Sequence, residues 1–270
     1  MCTLTAIHPE PRRAGDTPLF RVVVNRDEQR TRAEALPPRI ARAGAHDAIY
    51  PIDPASQGTW IGVNTAGLVL AVLNSNPISR PTNRPGLRSR GEIVPALLAC
   101  DSVTAALAAA SEIPANEFPP FRLVAIEPDR LGVVGGDSQR AIVQTIRRFD
   151  TPFLATSSGL GDHIVEPPRR ELFNAALLRG VSDITDRQDA FHRHRWPDRK
   201  HVSVEMSRSD ARTVSRTVVE VFPDSVRLTY RALHELDAHT PMDGRDAHAE
   251  ASRRPTAASP RTRSAPSLRT

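Results

Sequence analysis

The second residue of the chain is a cysteine, and this position offers it unusual chemistry. An initiator methionine is removed efficiently before a small residue, and its removal would leave Cys2 with both a thiol and a free α-amine. The thiol loses its proton near pH 8.5 and the amine at about pH 7.7–8.0, so near neutral pH the amine can serve as base for its own side chain. The alternative interpretation is a buried, inert cysteine that happens to be second.

The stretch VVVNRDE places polar and charged residues directly after three β-branched ones. The valines predict a buried strand, and alternation along a strand points Asn25 and Asp27 one way and Arg26 the other. If the first two strands are neighbours, the carboxylate of Asp27 could orient the amine of Cys2. The alternative is a strand end capped by solvated charges, with Arg26 and Glu28 merely paired.

Apolar runs separated by turn residues predict the elements that must position these side chains. Two short strands, at about 3–8 and 19–25, precede a Pro-rich and Arg-rich connector over 31–57. A hairpin of strands 60–63 and 68–73 follows, and then a helical block at 91–111 that breaks near Asp101, the predicted N-cap of its second half. Next come a hairpin over 121–136 and strands over 141–149 and 152–158. The last predicted elements are a helical block from 167 to 191, with prolines in its first turn, and a hairpin across Pro223 and Asp224. Hairpins with two helical blocks between them favour an α+β fold over alternating βαβ units.

The charge distribution separates the body of the chain from its end. Residues 251–270 hold five arginines and no acid, which equals the net charge of +5, so residues 1–250 are balanced. A domain that binds nucleic acid should carry a basic patch on the fold itself, and no specific nucleic-acid partner is therefore expected. We predict a folded domain over 1–235 and a disordered Arg/Ser/Pro/Ala-rich tail over 236–270, which could dock on acidic partners.

Composition also limits the location and the cofactors of the protein. No apolar run approaches the roughly 18 residues that cross a bilayer, and no secretory signal pattern is present, so we expect a cytoplasmic protein. Cys2 and Cys100 are too few for a disulfide framework, and Cys100 is expected in the core. The cluster of His192, His194 and His201 lacks helical i,i+4 pairing and a nearby thiol, which favours a solvated linker over a metal site. We expect no cofactor and no metal.

Three motifs in order resemble a known family. MCTLTAI at the start, NRDE after a strand, and GTWIGVNTAGLVLAVLN about thirty residues later look like the NRDE family, whose eukaryotic members include transport and Golgi organisation protein 2. More loosely, they resemble the N-terminal-nucleophile amidases, among them choloylglycine hydrolase and penicillin V acylase. The resemblance covers about residues 1–230 and implies a four-layer αββα sandwich, with the terminal cysteine at the mouth of a pocket between two antiparallel sheets.

The resemblance also implies roles for four residues. Cys2 would be the nucleophile, and Asp27 matches an aspartate that contacts its amine. Asn74 matches the asparagine that closes the GxNxxGLxxAxLN hairpin and helps to hold the oxyanion. Arg216, in TVSRTVVEV, matches an arginine beside the nucleophile.

At two places the sequence departs from the amidases. They carry an arginine directly before the asparagine of the second strand, where this chain has Val24. Arg26 could supply a guanidinium here only from the opposite face or through a bulge. They also place an asparagine on a later strand, where Ser157 or Ser158 stands here. We include Asn25, Arg26, Ser157 and Ser158 as candidate substrate-binding residues.

The implied reaction is attack of the Cys2 thiolate on the C–N bond of a small acyl amide. A thioester would form, and water would resolve it. The alternative function, on the same fold, is a non-catalytic carrier or chaperone for a hydrophobic ligand such as haem or a lipid acyl chain. The expected partner is accordingly a small amide or a hydrophobic molecule.

Overall fold

The computed structural model of the chain describes residues 2–11, 17–76, 86–137, 139–234 and 246–253. Its strands are β1 (Cys2–Ile7), β2 (Phe20–Gln29), β3 (Leu36–Ala43), β4 (His46–Ile52), β5 (Ile61–Asn64), β6 (Val69–Asn74), β7 (Phe121–Glu127), β8 (Arg130–Gly136), β9 (Ala141–Arg148), β10 (Phe153–Ser157), β11 (Ala211–Val221), β12 (Ser225–Ala232) and β13 (Asp246–Ser252). Its helices are α1 (Ile93–Leu97), α2 (Val103–Ser111), α3 (Asp162–Phe173) and α4 (Ile184–His192). Within the described ranges, none of these helices has the length and apolar character that a membrane crossing requires.

The strands form two sheets. The first sheet has the order β10-β1-β2-β11-β12-β13, and the second has the order β3-β4-β5-β6-β7-β8-β9. Strand β1 pairs antiparallel with β2 on one side and with β10 on the other. The first two strands are therefore neighbours, which was the condition for Asp27 to orient the amine of Cys2, and the start of the chain lies inside a sheet rather than at its edge.

Three apolar cores show that sheets and helices stack in four layers. One core lies between the sheets and includes Leu4 and Val24 from the first sheet and Val63 and Val69 from the second. A second core lies between the second sheet and helices α1 and α2, and a third lies between the first sheet and helices α3 and α4. The α+β prediction and the implied αββα sandwich are confirmed.

Alternation along β1 decides which side chains reach the space between the sheets. Cys2 and Leu4 belong to the core between the sheets. Thr5 points the other way, toward the helices, where its hydroxyl lies 2.7 Å from Nε2 of His192. Odd-numbered residues of β1 therefore anchor the strand to the helix layer, while Cys2 faces the second sheet.

The segment predicted to be a connector, 31–57, instead contains β3 and β4, so that prediction was wrong. Pro37 and Pro38 argued against a strand here, because proline lacks the N–H that a central strand needs. Strand β3 is an edge strand, where proline is tolerated. Its pairing with β4 also shifts register between Leu36 and Arg39, so the two prolines are skipped.

The first helical block breaks near residue 101 as predicted, but its second half has a different cap. Ser102, not Asp101, is the N-cap of α2, and its hydroxyl accepts a hydrogen bond from the backbone N–H of Ala105 at 3.2 Å. Both residue types cap helices well, so the sequence alone did not separate them.

The second helical block begins earlier than predicted. Helix α3 starts at Asp162, which places Pro167 and Pro168 inside the helix instead of in its first turn. A proline removes one backbone hydrogen bond to the residue four positions earlier, and here both of those residues are exposed, so water can satisfy their carbonyls. A π-helical turn over 174–178 then ends this helix before α4 begins.

Strand β13 lies in the segment that was predicted to be disordered, and it adds to the edge of the first sheet by pairing with β12. Two ion pairs support the ladder, Arg231 with Asp246 and Arg227 with Glu250. Alanine supplies its inward positions, so the strand lacked the large apolar residues that reveal a strand in sequence. The rest of the predicted tail, 236–245 and 254–270, lies outside the described residues.

Candidate active site

Cys2 is held between two strands. It lies opposite Arg26 in the β1–β2 ladder and opposite Ser157 in the β1–β10 ladder. Its backbone N–H donates a hydrogen bond to the Ser157 hydroxyl at 3.1 Å. The residue is buried, with 5% of its surface exposed. Both the thiol and the nitrogen are therefore fixed in one place by the sheet.

A cleft of about 270 Å³ opens at this end of the two sheets. Most of its lining is polar or charged, and its residues are Cys2, Arg26, Asp27, Glu28, Arg32, Asp53, Ser56, Thr59, Trp60, Val72, Asn74, Arg88, Ser89, Arg90, Gly91 and Pro119. Four of the sequence candidates meet here: Cys2, Arg26, Asp27 and Asn74. The structure thus brings the start of the chain, the NRDE motif and the end of the β5–β6 hairpin to one site.

Asp27 lies one residue beyond the register partner of Cys2, at the border of the cleft. Its side chain is buried, and its Oδ1 accepts a hydrogen bond from the Thr213 hydroxyl at 2.6 Å. Burial raises the pKa of the Asp27 carboxyl, while the positive charge of Arg169 acts in the opposite direction. A buried carboxylate whose negative charge is not fully neutralised favours a positive group nearby, and a free amine on Cys2 would provide one.

Arg26 faces the cleft on the same side as Cys2, its partner in the β1–β2 ladder, so the expectation that it could act only from the opposite face or through a bulge was wrong. Val24 and Arg26 are two residues apart and therefore share one face of β2. Its guanidinium lies 2.5 Å from Asp53 and 3.4 Å from Glu28, and it stacks 4.5 Å from the centre of the Trp60 ring. The pairing of Arg26 with Glu28, which belonged to the alternative interpretation of this motif, is present, and Asp53 is a second partner of Arg26. Burial raises the pKa of the Cys2 thiol, and Arg26 is among the positive charges that partly offset this.

Asn74 reaches the cleft because the β5–β6 hairpin is fixed at its turn. The side chain of Asn64 accepts hydrogen bonds from the backbone N–H groups of Ala66 and Leu68, each at 3.1 Å. Gly67 takes a φ of +86°, which a residue with a side chain rarely adopts. These two positions explain the GxNxxG pattern, and they set the register that ends β6 with Asn74 in the cleft.

Arg216 does not line the cleft, contrary to what the resemblance implied. It lies opposite Asn25 in the β2–β11 ladder, so both side chains point to the helix layer, away from Cys2. The Arg216 guanidinium lies 2.6 Å from Glu205 and 3.2 Å from Oδ1 of Asn25. Asn25 also donates to the backbone carbonyl of His192 at 2.8 Å, so both residues support the strand and neither is placed to touch a ligand in the cleft.

The two serine candidates have separate roles. Ser157 receives the Cys2 backbone N–H, as described above. Ser158 builds the turn before α3: its backbone N–H donates to Asp162 at 2.9 Å, and its hydroxyl accepts from Leu160 N–H at 3.2 Å. Only Ser157 is in contact with the nucleophile.

Val24 is buried in the core between the sheets, so the second strand presents no guanidinium at this position.

The sequence analysis did not identify Arg90, which enters the cleft from a short 3₁₀ turn. Burial lowers the pKa of Arg90, and the negative charges of Cys2 and Glu28 oppose this effect. The capping-box spacing of Ser89 and Glu92 predicts the turn, but not that it faces Cys2.

The Arg90 turn lies against the loop before β5 through two glycines. A Cβ on Gly58 would lie 2.4 Å from the backbone carbon of Gly91, a distance that real side chains do not show. The backbone N–H of Thr59 also donates to the Gly91 carbonyl at 2.9 Å. This close approach of the two backbone segments, which depends on tertiary structure, places Arg90 at the cleft.

His192 belongs to the support of the site and not to a metal cluster. Its Nδ1 lies 3.1 Å from Oδ1 of Asn25, and Thr5 contacts its other ring nitrogen. Among the residues that the structure describes, no three His, Cys, Asp or Glu side chains converge as metal ligands.

His192 gives the first testable prediction. Burial, and then the nearby guanidinium groups, hold the pKa of His192 well below its usual range, so the imidazole is neutral in the fold. The unfolded chain takes up a proton near pH 6.5 that the folded chain does not accept, so the free energy of unfolding falls as the pH drops below that value. Between pH 7 and pH 5.5, we expect urea unfolding to show a loss about 1 kcal/mol larger in wild type than in His192→Gln.

The control for this prediction is His163→Gln, since His163 is exposed. That variant should follow the wild-type pH dependence. Parallel curves for wild type and His192→Gln would show that His192 is not buried as a neutral group.

Comparisons with known proteins agree with this architecture. Residues 1–169 match the family model of Transport and Golgi organisation 2. Among functionally curated proteins, no sequence matches significantly.

Solved structures with the N-terminal-nucleophile hydrolase fold are similar to the chain. The Caenorhabditis elegans ortholog of N-acylethanolamine-hydrolyzing acid amidase has a TM-score of 0.50 at 12% identity, over 81% of this chain and 92% of that one. Penicillin V acylase from Agrobacterium tumefaciens has a TM-score of 0.47 at 13% identity, over 87% of both chains. The C2A mutant of conjugated bile acid hydrolase from Clostridium perfringens has 0.46 at 12% identity, over 94% and 97%. At these identities the similarity concerns the fold alone.

Proposed function

The chain belongs to the Transport and Golgi organisation 2 family, and from this premise we propose that it is an N-terminal-nucleophile hydrolase that cleaves the C–N bond of a small acyl amide. The observation that carries the proposal is the position of Cys2. Its thiol and its nitrogen are fixed by the sheet at a polar cleft, with Asn74 on the facing sheet. These are the groups that acyl transfer through a thioester needs: a nucleophile, a base and an oxyanion donor.

In the first half of the reaction, Met1 has been removed and the α-amine of Cys2 accepts the thiol proton. The thiolate attacks the amide carbonyl, and the oxygen gains the negative charge of a tetrahedral intermediate. The amide group of Asn74 donates a hydrogen bond to that oxygen. When the C–N bond breaks, the protonated α-amine returns the proton to the departing amine, and an acyl thioester on Cys2 remains.

In the second half, water replaces the amine. The α-amine takes a proton from the water as it attacks the thioester, and the same proton returns to sulfur when the C–S bond breaks. A carboxylic acid leaves and the free thiol is restored. Asp27 and Ser157 keep the amine in place throughout, the first by its charge and the second as a hydrogen-bond partner.

The lining of the cleft favours this reaction over a carrier for haem or a lipid chain. Of the sixteen lining residues, eleven are polar or charged, whereas sites for hydrophobic ligands are lined mainly by apolar side chains. The cleft volume of about 270 Å³ is also below the usual range for drug-sized ligands, which begins at about 300 Å³. A small polar amide suits this space better than a macrocycle or a long acyl chain.

An acyl-enzyme experiment tests the proposal. The purified chain is mixed with a panel of small acyl p-nitroanilides, quenched in acid, and measured by mass spectrometry. We expect a mass increase equal to the acyl group, located on the N-terminal peptide, together with release of p-nitroaniline. A chain that binds members of the panel but never gains an acyl group on Cys2 would contradict the hydrolase and favour the carrier.

A further inference from the structure

Four guanidinium groups line the cleft, and three of them have carboxylate partners. Arg26 lies 2.5 Å from Asp53, and Arg32 lies 2.8 Å from the same carboxylate. Arg88 contacts both Glu92 at 2.7 Å and Glu117 at 3.0 Å. The charges of these three arginines are therefore matched inside the protein.

Arg90 differs from the other three. Among the described residues, no carboxylate lies within ion-pair distance of its guanidinium, and its hydrogen-bond partner is the backbone carbonyl of Pro120 at 2.9 Å. Glu28 is near enough to act on it electrostatically, but Glu28 already lies 3.4 Å from Arg26 and 3.6 Å from Arg32. The half-buried Arg90 thus retains donors and charge that the protein does not use.

The overall charge of the lining agrees with this local picture. Arg88 is matched by Glu92 and Glu117 outside the lining, so the other three arginines stand against the three acids of the lining, Asp27, Glu28 and Asp53. The charge of Asp27 is opposed by that of Arg169, which lies outside the lining. A half-buried cation without a counter-charge stabilises a bound anion, and a guanidinium suits the two oxygens of a carboxylate.

We propose that Arg90 binds a carboxylate of the substrate, so that the substrate is a small amide that carries one carboxylate group. The inference rests on the proposed function for the identity of the bond that is cleaved, but the carboxylate site itself depends only on the cleft. Because Arg90 and Cys2 line the same small cleft, a carboxylate on Arg90 leaves the rest of a short molecule close to the sulfur.

The test uses a neutral and an anionic probe of nearly the same shape, N-acetylglycinamide and N-acetylglycine. Their affinities are measured by thermal shift and calorimetry in the Cys2→Ala background, where no covalent reaction can occur. We expect N-acetylglycine to bind at least about tenfold more tightly than the amide, as the loss of a charged hydrogen bond typically costs this much. Adding Arg90→Gln should abolish the difference, and Arg90→Lys should retain part of it.

Arg88→Gln is the matched control, because it removes the same charge from the same cleft at a residue with two carboxylate partners. It should change the affinity for N-acetylglycine less than about twofold, in keeping with the small effects of surface ion pairs. Equal affinity for both probes, or equal losses in Arg90→Gln and Arg88→Gln, would overturn the inference.

The outcome is separate from that of the proposed function. Selective binding of N-acetylglycine by Arg90 in a protein that never forms an acyl-enzyme would refute the hydrolase and leave the carboxylate site standing. An acyl-enzyme in wild type with no effect of Arg90→Gln on binding would do the reverse.

Discussion

Replacing Cys2 with alanine is expected to lower the hydrolysis of an acyl p-nitroanilide by about 10⁴-fold or more, because the nucleophile is the one group that the other residues cannot replace. The fold should survive the change. Cys2 is small and lies at one end of the core between the sheets, so its loss leaves at most a small cavity. Steady-state release of p-nitroaniline measures the effect, and circular dichroism confirms the fold.

Cys100→Ala is the control for Cys2→Ala. Cys100 follows α1 and packs at the border of the core beneath α1 and α2, away from the cleft. This variant should keep wild-type turnover. Turnover that persists in Cys2→Ala would assign the chemistry to another residue and refute the mechanism.

Replacing Asn74 with alanine is expected to lower kcat by about 10²–10³-fold, the usual cost of removing one oxyanion donor. The donor acts on charge that appears only in the transition state, so KM should change little. Asn74 is only half-buried at the end of β6, so its truncation should cost little stability. Kinetics over a range of substrate concentrations separate the two constants.

Ser75→Ala is the matched control for Asn74→Ala. Ser75 is the next residue, and its backbone N–H, which the substitution retains, donates to the Pro120 carbonyl at 3.1 Å. It should leave kcat unchanged. If Asn74→Ala raised KM and left kcat intact, Asn74 would bind the ground state and would not hold an oxyanion.

The candidate residues that line the cleft lie on strands whose sequence pattern is local and strong. Three valines followed by NRDE define β2 and the two faces on which Arg26 and Asp27 lie. The GxNxxG turn defines the hairpin that carries Asn74, because Asn64 and Gly67 are residue types that favour turns. Local sequence patterns are therefore enough to place these side chains at the cleft.

The sequence did not predict the positions of residues that depend on tertiary contacts. Arg216 matched a motif, but a bulge in the β2–β11 ladder between Thr213 and Ser215 precedes it, and the register that follows turns its side chain toward the helices. The capping box around Arg90 predicts its turn but not its place in the cleft, since Arg90 reaches the cleft through the contact of Gly58 with Gly91, 33 positions apart in sequence. Pairings at such distances leave no local pattern.

The secondary structure shows the same division. The sequence did not reveal β3, because this strand contains prolines that only an edge position tolerates. It did not reveal β13, because this strand has alanines in place of large apolar residues and forms by pairing with β12. Both strands lie at the edge of a sheet. Edge strands depend on their neighbours more than on their own composition, so their sequences resemble those of loops.

The role of Cys2 as the nucleophile is tested by combining intact mass with the site of alkylation. The protein as produced is treated briefly with iodoacetamide at pH 7, and the labelled cysteine is identified by peptide mapping. Cys2 is buried and Cys100 is more exposed, so accessibility alone would label Cys100 first. If Cys2 is the activated nucleophile, we expect a chain that lacks Met1 and is labelled first at Cys2. A chain that retains Met1, or one in which Cys100 reacts first, would contradict this role of Cys2.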